Sequence, residues 1–247
     1  MDTRRLLLAG LAALPALASP AALALFGNTT VVPSGRIVTE SRSARGFTGL
    51  GVTVPGTVVV RQGLVESISI EADDNLMPEI ETVVEGGALR IRLKRNLGIN
   101  GHGTIRVLVT GPTFETLAVA GSGDILSEAL NARSLDVSVA GSGNVKLAKV
   151  EAGSMKVSIA GSGDFRAAGR ADEITVKIAG SGNVDAGRVE AKRARVSVAG
   201  SGDATVWTRE ALDATILGSG DVRYHGTPAI TQRIAGSGSL TRLGPAP

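Results

Sequence analysis

The stretch AGSGD at Ala120–Asp124 is the first of seven closely similar phrases in the second half of the chain. Each phrase places Gly-Ser-Gly after an apolar residue; the others are AGSGN at Ala140–Asn144, AGSGD at Ala160–Asp164, AGSGN at Ala179–Asn183, AGSGD at Ala199–Asp203, LGSGD at Leu217–Asp221 and AGSGS at Ala235–Ser239. Their first glycines are separated by 20, 20, 19, 20, 18 and 18 residues. A nearly fixed period of this size is typical of proteins whose repeated units stack on one another.

The residues on both sides of each phrase alternate between apolar and polar. Met155, Val157 and Ile159 precede the third phrase, for example, and Phe165 and Ala167 follow it. This alternation predicts β-strands with one apolar face, which a unit of about 20 residues cannot bury alone. We therefore predict an all-β parallel β-helix with about 18–20 residues per coil. An antiparallel sandwich is the alternative, but its hairpins would place the phrase at alternate ends of the strands.

The chain before the repeats predicts β-structure without a fixed period. Turn residues such as Pro55-Gly56 and Gly86-Gly87 separate its short alternating runs, and no stretch has a helical period. We expect one β-helix domain over residues 36–240. It divides into irregular N-terminal coils (36–115) and Gly-Ser-Gly repeat coils (116–240), with a linker at 25–35 and a tail at 241–247.

The N-terminus and the composition bear on location and partners. Arg4 and Arg5 precede the apolar run Leu6–Leu17, and small residues follow, which predicts a signal peptide over residues 1–24. We therefore expect an exported protein of the periplasm, the cell surface or the medium. The chain has no Cys, and its 26 Lys and Arg against 23 Asp and Glu leave a net charge of +3. A charge this small does not predict nucleic acid as a partner.

The repeated phrase has the chemistry of a tight corner. Its glycines permit a sharp bend and close backbone approach, and the Asp or Asn that follows can close the turn with a hydrogen bond. Stacked coils would align these side chains in a ladder in which Asp alternates with Asn until Asp203 and Asp221. Two facing carboxylates repel, which raises one pKa or favours a cation. Two interpretations of this pair stay open: a structural corner, or a calcium site formed by Asp203 and Asp221.

Few other residues predict a site. Trp207 lies on the outward phase of its strand, where an indole can stack on a sugar ring, so carbohydrate contact is a hypothesis beside a purely structural role. His102 and His225 are predicted to lie in loops. The chain has none of the common hydrolase or nucleotide-binding motifs, so we expect no enzyme, no catalytic residue and no cofactor. Two outward columns are predicted to follow the stack: Asp136, Lys156, Thr175, Arg195 and Asp213, and Ser138, Ser158, Lys177, Ser197 and Thr215.

Three segments resemble the bacterial head GIN domain family, which is described as auto-transporter adhesins. They are RGFTGLGVTVPGTVVVRQG at Arg45–Gly63, SISIEADDNLMPEIETVVEGGALRIRL at Ser67–Leu93 and LAVAGSGDI at Leu117–Ile125. The resemblance covers about residues 36–240. It implies a right-handed β-helix in an exported bacterial protein, and it carries over no catalytic or binding residue.

The leading functional hypothesis is an exported, non-enzymatic β-helix with an adhesin-like or envelope-associated role in binding or scaffolding. Its partner would be a polysaccharide or a protein of a cell envelope or surface. The alternative is a polysaccharide-active or carbohydrate-binding β-helix, because such folds also carry carboxylate sites. Self-association is a third possibility, because the two ends of a solenoid expose unpaired strands unless they are capped.

Overall fold

Each repeat forms one coil of a parallel β-solenoid in a computed structural model that describes residues 29–95 and 97–245. The strands before the repeats are β1 (Thr29–Val31), β2 (Ile37–Arg42), β3 (Gly49–Val52), β4 (Thr57–Gln62), β5 (Ser67–Asp73), β6 (Ile80–Glu85), β7 (Ala88–Leu93), β8 (Leu97–Ile99) and β9 (Ile105–Gly111). Those of the repeats are β10 (Thr116–Gly121), β11 (Asp124–Ser127), β12 (Leu130–Gly141), β13 (Asn144–Gly161), β14 (Asp164–Gly180), β15 (Asn183–Gly200), β16 (Ala204–Gly218), β17 (Val222–His225), β18 (Ala229–Gly236) and β19 (Leu240–Gly244).

A complete coil has three sides, as β13 shows. Residues 144–147 form the first side, residues 150–152 the second and residues 154–161 the third, and pairing with the next coil is interrupted between them. Every coil runs in the same direction, so Val157 lies opposite Val137 below it and Val176 above it. The same names are used below for the corresponding sides of the other coils. The prediction of a parallel β-helix is confirmed.

The core is a set of apolar columns that run along the solenoid axis. On the third side, the members of three columns between β12 and β16 are at most 4% exposed. Burying a Val, Leu or Ile side chain contributes roughly 1.5–3 kcal/mol, so the stack gains most of its stability here. The columns are Leu135, Met155, Ile174, Ala194 and Leu212; Val137, Val157, Val176, Val196 and Ala214; and Val139, Ile159, Ile178, Val198 and Ile216.

The N-terminal region combines coils with antiparallel strands, unlike the irregular coils expected from the sequence. Strands β3, β4, β7 and β9 continue the parallel stack, whereas β2 and β9 both pair antiparallel with β5. Strands β6 and β7 form a hairpin, because Gly86 and Gly87 both have positive φ (59° and 77°), the geometry of a two-residue turn. A turn of 3-10 helix at Met77–Glu79 precedes this hairpin and is an exception to the expected β-structure.

The predicted segments at the two ends also differ in part from the structure. Within the segment predicted as a linker, β1 pairs with β8, and β19 extends the last coil into the segment predicted as a tail. Asp73, which is only 2% exposed, joins the end of β5 to the segments that precede β2 and β9. Its carboxylate accepts hydrogen bonds from the N–H groups of Gly35 (2.6 Å) and Thr104 (2.8 Å). The predicted signal peptide, residues 1–24, lies outside the described residues.

The Gly-Ser-Gly corners hold successive coils in close contact. The carbonyl oxygen of Gly141 accepts hydrogen bonds from the N–H groups of Ser162 (2.9 Å) and Gly163 (3.0 Å) in the next coil. The first glycine needs its freedom, since Gly161 has a φ of 125°. The second glycine needs its small size, since a Cβ on Gly163 would lie 2.2 Å from the Gly143 carbonyl oxygen.

We predict that Gly163→Ala destabilises the protein by roughly 1–3 kcal/mol, because the new methyl group must push two coils apart. Thermal and denaturant unfolding would measure the loss. Ser162→Ala is the matched control, since Ser162 is exposed and holds the corner through its backbone; it should change stability by less than about 0.5 kcal/mol. Equal effects of the two substitutions would refute the close-contact explanation.

Candidate functional site

The residues after the corners form the predicted ladder of Asp and Asn along one edge of the first side. Asn144 donates to Asp124 Oδ1 from both its backbone N (3.0 Å) and its side-chain Nδ2 (2.8 Å). Asp164 N donates to Asn144 Oδ1 (3.2 Å), and Asn183 Nδ2 donates to Asp164 Oδ1 (2.9 Å). The amides thus separate the carboxylates, and the ladder joins neighbouring coils through side chains as well as backbone.

The ladder changes at Asp203 and Asp221, where no side-chain amide separates the two carboxylates. Asp221 N donates to Asp203 Oδ1 (2.9 Å), and Nη2 of Arg223 lies 3.1 Å from Asp203 Oδ2 and 3.5 Å from Asp221 Oδ2. Asp221 Oδ1 also accepts from Ser239 Oγ (2.7 Å) and Ser239 N (3.0 Å). Sequence analysis missed Arg223, although it follows Asp221 by two residues on the same face of the strand.

The pKa of Asp221 is lowered, opposite to the effect expected of two repelling carboxylates. The hydrogen bonds from the Ser239 hydroxyl and backbone N–H are the main causes, and the Arg223 charge adds to them. The pair fits a calcium ion poorly, because calcium needs six to eight oxygen ligands and these carboxylates already serve Arg223, Ser239 and the backbone. In the described ranges, no group of three or more acidic or His side chains could hold a metal.

The Ser239 hydrogen bonds generate a prediction on pH dependence. Because the pKa of Asp221 is lowered on folding, this stabilisation is complete above the ordinary value of 3.8 and is lost as the pH falls through the lowered pKa. Ser239→Ala should therefore lower Tm at neutral pH but have little effect well below pH 3.8. Melting curves across this range would test it. Ser219→Ala, one corner lower, should show no such pH dependence, because Ser219 donates to Gly200 through its backbone.

Calcium binding at Asp203 and Asp221 stays a prediction that Arg223 allows us to sharpen. We expect millimolar calcium to leave the Tm of the natural chain unchanged, because the guanidinium already bridges both carboxylates and offsets one of their two charges. Arg223→Gln should create a calcium-dependent rise in Tm, and a further Asp221→Asn substitution should abolish it. A calcium shift in the natural chain that Asp221→Asn removes would instead support a native calcium site.

Trp207 lies on the outward phase of β16, as predicted, between the buried residues Val206 and Thr208. Its side chain is half-buried, and its register partners are Glu190 in the coil below and His225 in the coil above. Carbohydrate contact by Trp207 stays a prediction.

The two histidines lie apart from each other in the fold. His102 is exposed in the loop after β8, as predicted. His225 is instead the last residue of β17, where its Nδ1 lies 2.9 Å from the carbonyl oxygen of Pro245. This contact ties β17 to the end of the last coil.

The outward columns predicted on the third side are confirmed by the register of the strands. Lys156 Nζ lies 2.8 Å from Asp136 Oδ2 one coil below, and Arg195 Nε lies 3.7 Å from Asp213 Oδ2 one coil above. The Ser138 column aligns as predicted, with Lys177 as the cation within its mainly hydroxyl stripe. Most charges on this side therefore have an opposite charge in the next coil.

A groove lined by charged residues runs along the second side and its border with the third. Two of its depressions, of about 620 and 710 Å³, adjoin at Gly153 and Asp172. A third depression continues it past Glu190 to Arg209. We call this surface the charged groove; its ionisable residues are six basic ones (Arg133, Lys149, Arg170, Lys192, Arg193 and Arg209) and six acidic ones (Glu115, Asp136, Glu151, Asp172, Glu173 and Glu190).

Ion pairs between coils hold the side chains of the charged groove. Lys192 Nζ lies 2.9 Å from Asp172 Oδ1, and Glu190 lies 3.1 Å from Arg170 and 3.0 Å from Arg209. The Lys192–Asp172 pair is about half exposed and contributes little to stability, so its main effect is to fix the pattern of charge. The groove has no net charge, because its basic and acidic residues are equal in number, and it offers both signs to a ligand.

The charged groove was not predicted from the sequence. Arg133, Gly153, Asp172 and Lys192 recur at intervals of 20, 19 and 20 residues, which was the available signal. Gly153 contributes no side chain to the lining of the groove. A Cβ at this position would lie 2.7 Å from the Arg133 carbonyl oxygen.

Comparison with protein families matches residues 46–228 to the family described as "Putative auto-transporter adhesin, head GIN domain". The chain belongs to the head GIN domain family. The match spans β3 to β17 and all of the charged groove. The family description concerns adhesins rather than enzymes. A comparison with curated proteins finds no match.

Solved structures share the fold of this head GIN domain. A "putative adhesin" from Bacteroides fragilis aligns over 86% of this chain and 100% of its own, with a TM-score of 0.81 and 24% identity. A "putative lipid binding protein" from Parabacteroides distasonis aligns over 87% and 100%, with a TM-score of 0.74 and 24% identity. A "putative adhesin" from Parabacteroides merdae aligns over 87% and 99%, with a TM-score of 0.67 and 20% identity. At these identities the likeness shows the fold alone.

Across residues 29–95 and 97–245, no helix has the length and hydropathy needed to cross a membrane.

Proposed function

We propose that this head GIN domain is an exported, non-enzymatic binding module that attaches to a protein of a cell surface or envelope through the charged groove. The observation that carries the proposal is the groove itself, which extends over several coils and carries six residues of each charge. The family description and the signal-peptide pattern of residues 1–24 support an exported adhesin-like role.

The charge pattern favours a protein ligand over a uniformly charged polymer. A polyanion would meet Asp172 and Glu190 wherever it met Lys192 and Arg170, and like charges in contact are costly. A protein segment that carries both signs can exchange the internal ion pairs for pairs across the interface. Because the Lys192–Asp172 pair is about half exposed, exchanging this pair costs little desolvation.

Charge reversal in the groove tests this proposal. The combined Arg170→Glu and Lys192→Glu substitutions place new acids beside Glu190 and Asp172, so binding to intact cells or envelope fractions should fall at least about tenfold. Lys177→Glu reverses a single charge on the exposed third side and should leave binding unchanged, whereas Lys192→Glu alone should weaken it. Binding by the natural chain should also weaken as the salt concentration rises.

Treatment of the target surface separates the ligand classes. Protease treatment should abolish binding, whereas glycosidase treatment should not. Binding that survives protease but is lost with glycosidase or Trp207→Ala would favour the carbohydrate alternative over a protein ligand. Phospholipid vesicles form a further arm, because one structural relative is described as lipid binding. Equal binding by the groove variant and Lys177→Glu would contradict the proposed site.

A further inference from the structure

The last coil leaves the core of the solenoid open at its C-terminal end. Within the described residues, the residue-by-residue pairing of β18 is with β16, so one edge of β18 is free. Ile230 and Ile234 continue two of the buried columns of the third side, yet they are 43% and 41% exposed. The end therefore presents a strand edge beside exposed core-phase side chains, which is a template for pairing with another chain.

The N-terminal end is closed in a different way. There β2 pairs antiparallel with β5, and Leu76 and Met77 beside it are at most 4% exposed. The outer strand β2 carries an ion pair between Glu40 and Arg42 (2.9 Å), and such charges discourage pairing with a further strand. The two ends are thus unlike, because only the C-terminal end keeps the repeat phase, with Ile230 and Ile234 in line with the core columns.

The backbone of β18 is prepared for an added strand. Ser237 N donates to the Gly218 carbonyl of β16 (2.9 Å), which sets the hydrogen-bonding phase of this parallel pair. In a parallel ladder, alternate residues bond to a given neighbour, so the odd-numbered residues of β18 bond to β16. The N–H and C=O groups of Ile230, Gln232 and Ile234 therefore point to the free edge.

The sequence of β18 is nearly symmetric about Gln232. Ala229–Ala235 reads AITQRIA, with Gln232 in the middle. When two copies of β18 run antiparallel and centre on Gln232, Ile230 of each copy faces Ile234 of the other, and alanine faces alanine at both ends. Thr231 faces Arg233 on the outward side. A contact between identical surfaces needs this kind of self-complementarity.

We propose that two copies of this protein associate end to end through antiparallel pairing of their β18 strands, with Gln232 on the two-fold axis. In this register the facing residues Ile230, Gln232 and Ile234 are also those whose backbone N–H and C=O groups point to the free edge. The backbone hydrogen bonds and the side-chain contacts therefore favour the same alignment. The core columns then continue from one copy into the other. The two Gln232 amides lie opposite each other, and each can donate to the other's carbonyl, which favours this register over a slipped one.

The contact is small, because one coil meets one coil. It buries roughly 1,000 Å² in total, near the lower limit for specific interfaces, so the dimer should dissociate on dilution. The proposal does not depend on the charged groove, which lies on the lateral surface. A dimer would present two grooves and would thereby raise the avidity for a surface.

Sedimentation equilibrium of the full chain, from micromolar to submillimolar concentration, tests the proposal. We expect a reversible monomer–dimer equilibrium that Ile234→Lys abolishes, because the ammonium would face Ile230 of the second copy. Leu126→Lys is the matched control, since Leu126 is 36% exposed on the lateral first side; it should leave the dimer intact. A monomer at all concentrations, open-ended growth, or a dimer that survives Ile234→Lys would overturn the proposal.

A cysteine experiment decides the register even where Ile234→Lys fails to fold. The chain has no Cys, so Gln232→Cys introduces a single thiol, which the two-fold axis places opposite itself at a Cα separation of about 5.5 Å. Mild oxidation should give a disulfide-linked dimer. Thr231→Cys should link much less, because it faces Arg233 rather than itself. Equal cross-linking of the two variants, or none in either, would contradict the proposed pairing.

Discussion

In six of the seven corners, the carbonyl of the first glycine accepts two backbone hydrogen bonds from the next coil, and the rest of the solenoid depends on this contact. The Gly141 carbonyl oxygen, for example, accepts hydrogen bonds from the N–H groups of Ser162 (2.9 Å) and Gly163 (3.0 Å). The contact sets the register between coils. A slip of one residue would turn columns such as Val137, Val157 and Val176 towards water, so the corners and the core specify the same alignment.

Parallel stacking also places identical positions above one another, which makes charge a recurring problem. The chain solves it by alternation between coils. Asn144 and Asn183 separate the carboxylates of the ladder, and Arg223 bridges Asp203 and Asp221 and offsets one of their two charges. The charged groove follows the same rule, as the contact of Asp172 with Lys192 shows. The surface that results has a fixed pattern of charge without a field of one sign.

In a stack of similar coils, each coil covers its neighbours, but the first and last coils each lack one neighbour. The chain closes the N-terminal end by a change of direction, because the strand pair β2 and β5 runs antiparallel over it. The C-terminal end keeps the repeat to its last strand and thus leaves Ile230 and Ile234 exposed. The lateral sides and the C-terminal end therefore have different chemistry: mixed charge along the sides, and apolar side chains with free backbone groups at the end.

The sequence by itself determined the repeat, the inward and outward phases of each strand, and the ladder after the corners. These features follow from the alternation of apolar and polar residues and from the repeat period. Both patterns recur in the same way in every coil. Met155 and Lys156 could be assigned to opposite faces for this reason.

Only the tertiary structure decided the antiparallel N-terminal strands, the bridge made by Arg223 and the charged groove. The pairing of β2 with β5 joins segments about 30 residues apart, and neither carries a period that predicts its partner. The groove arises where each coil bends between its second and third sides. Alternation does not continue through a bend, so the sequence alone could not show that Gly153, Asp172 and Lys192 line one surface.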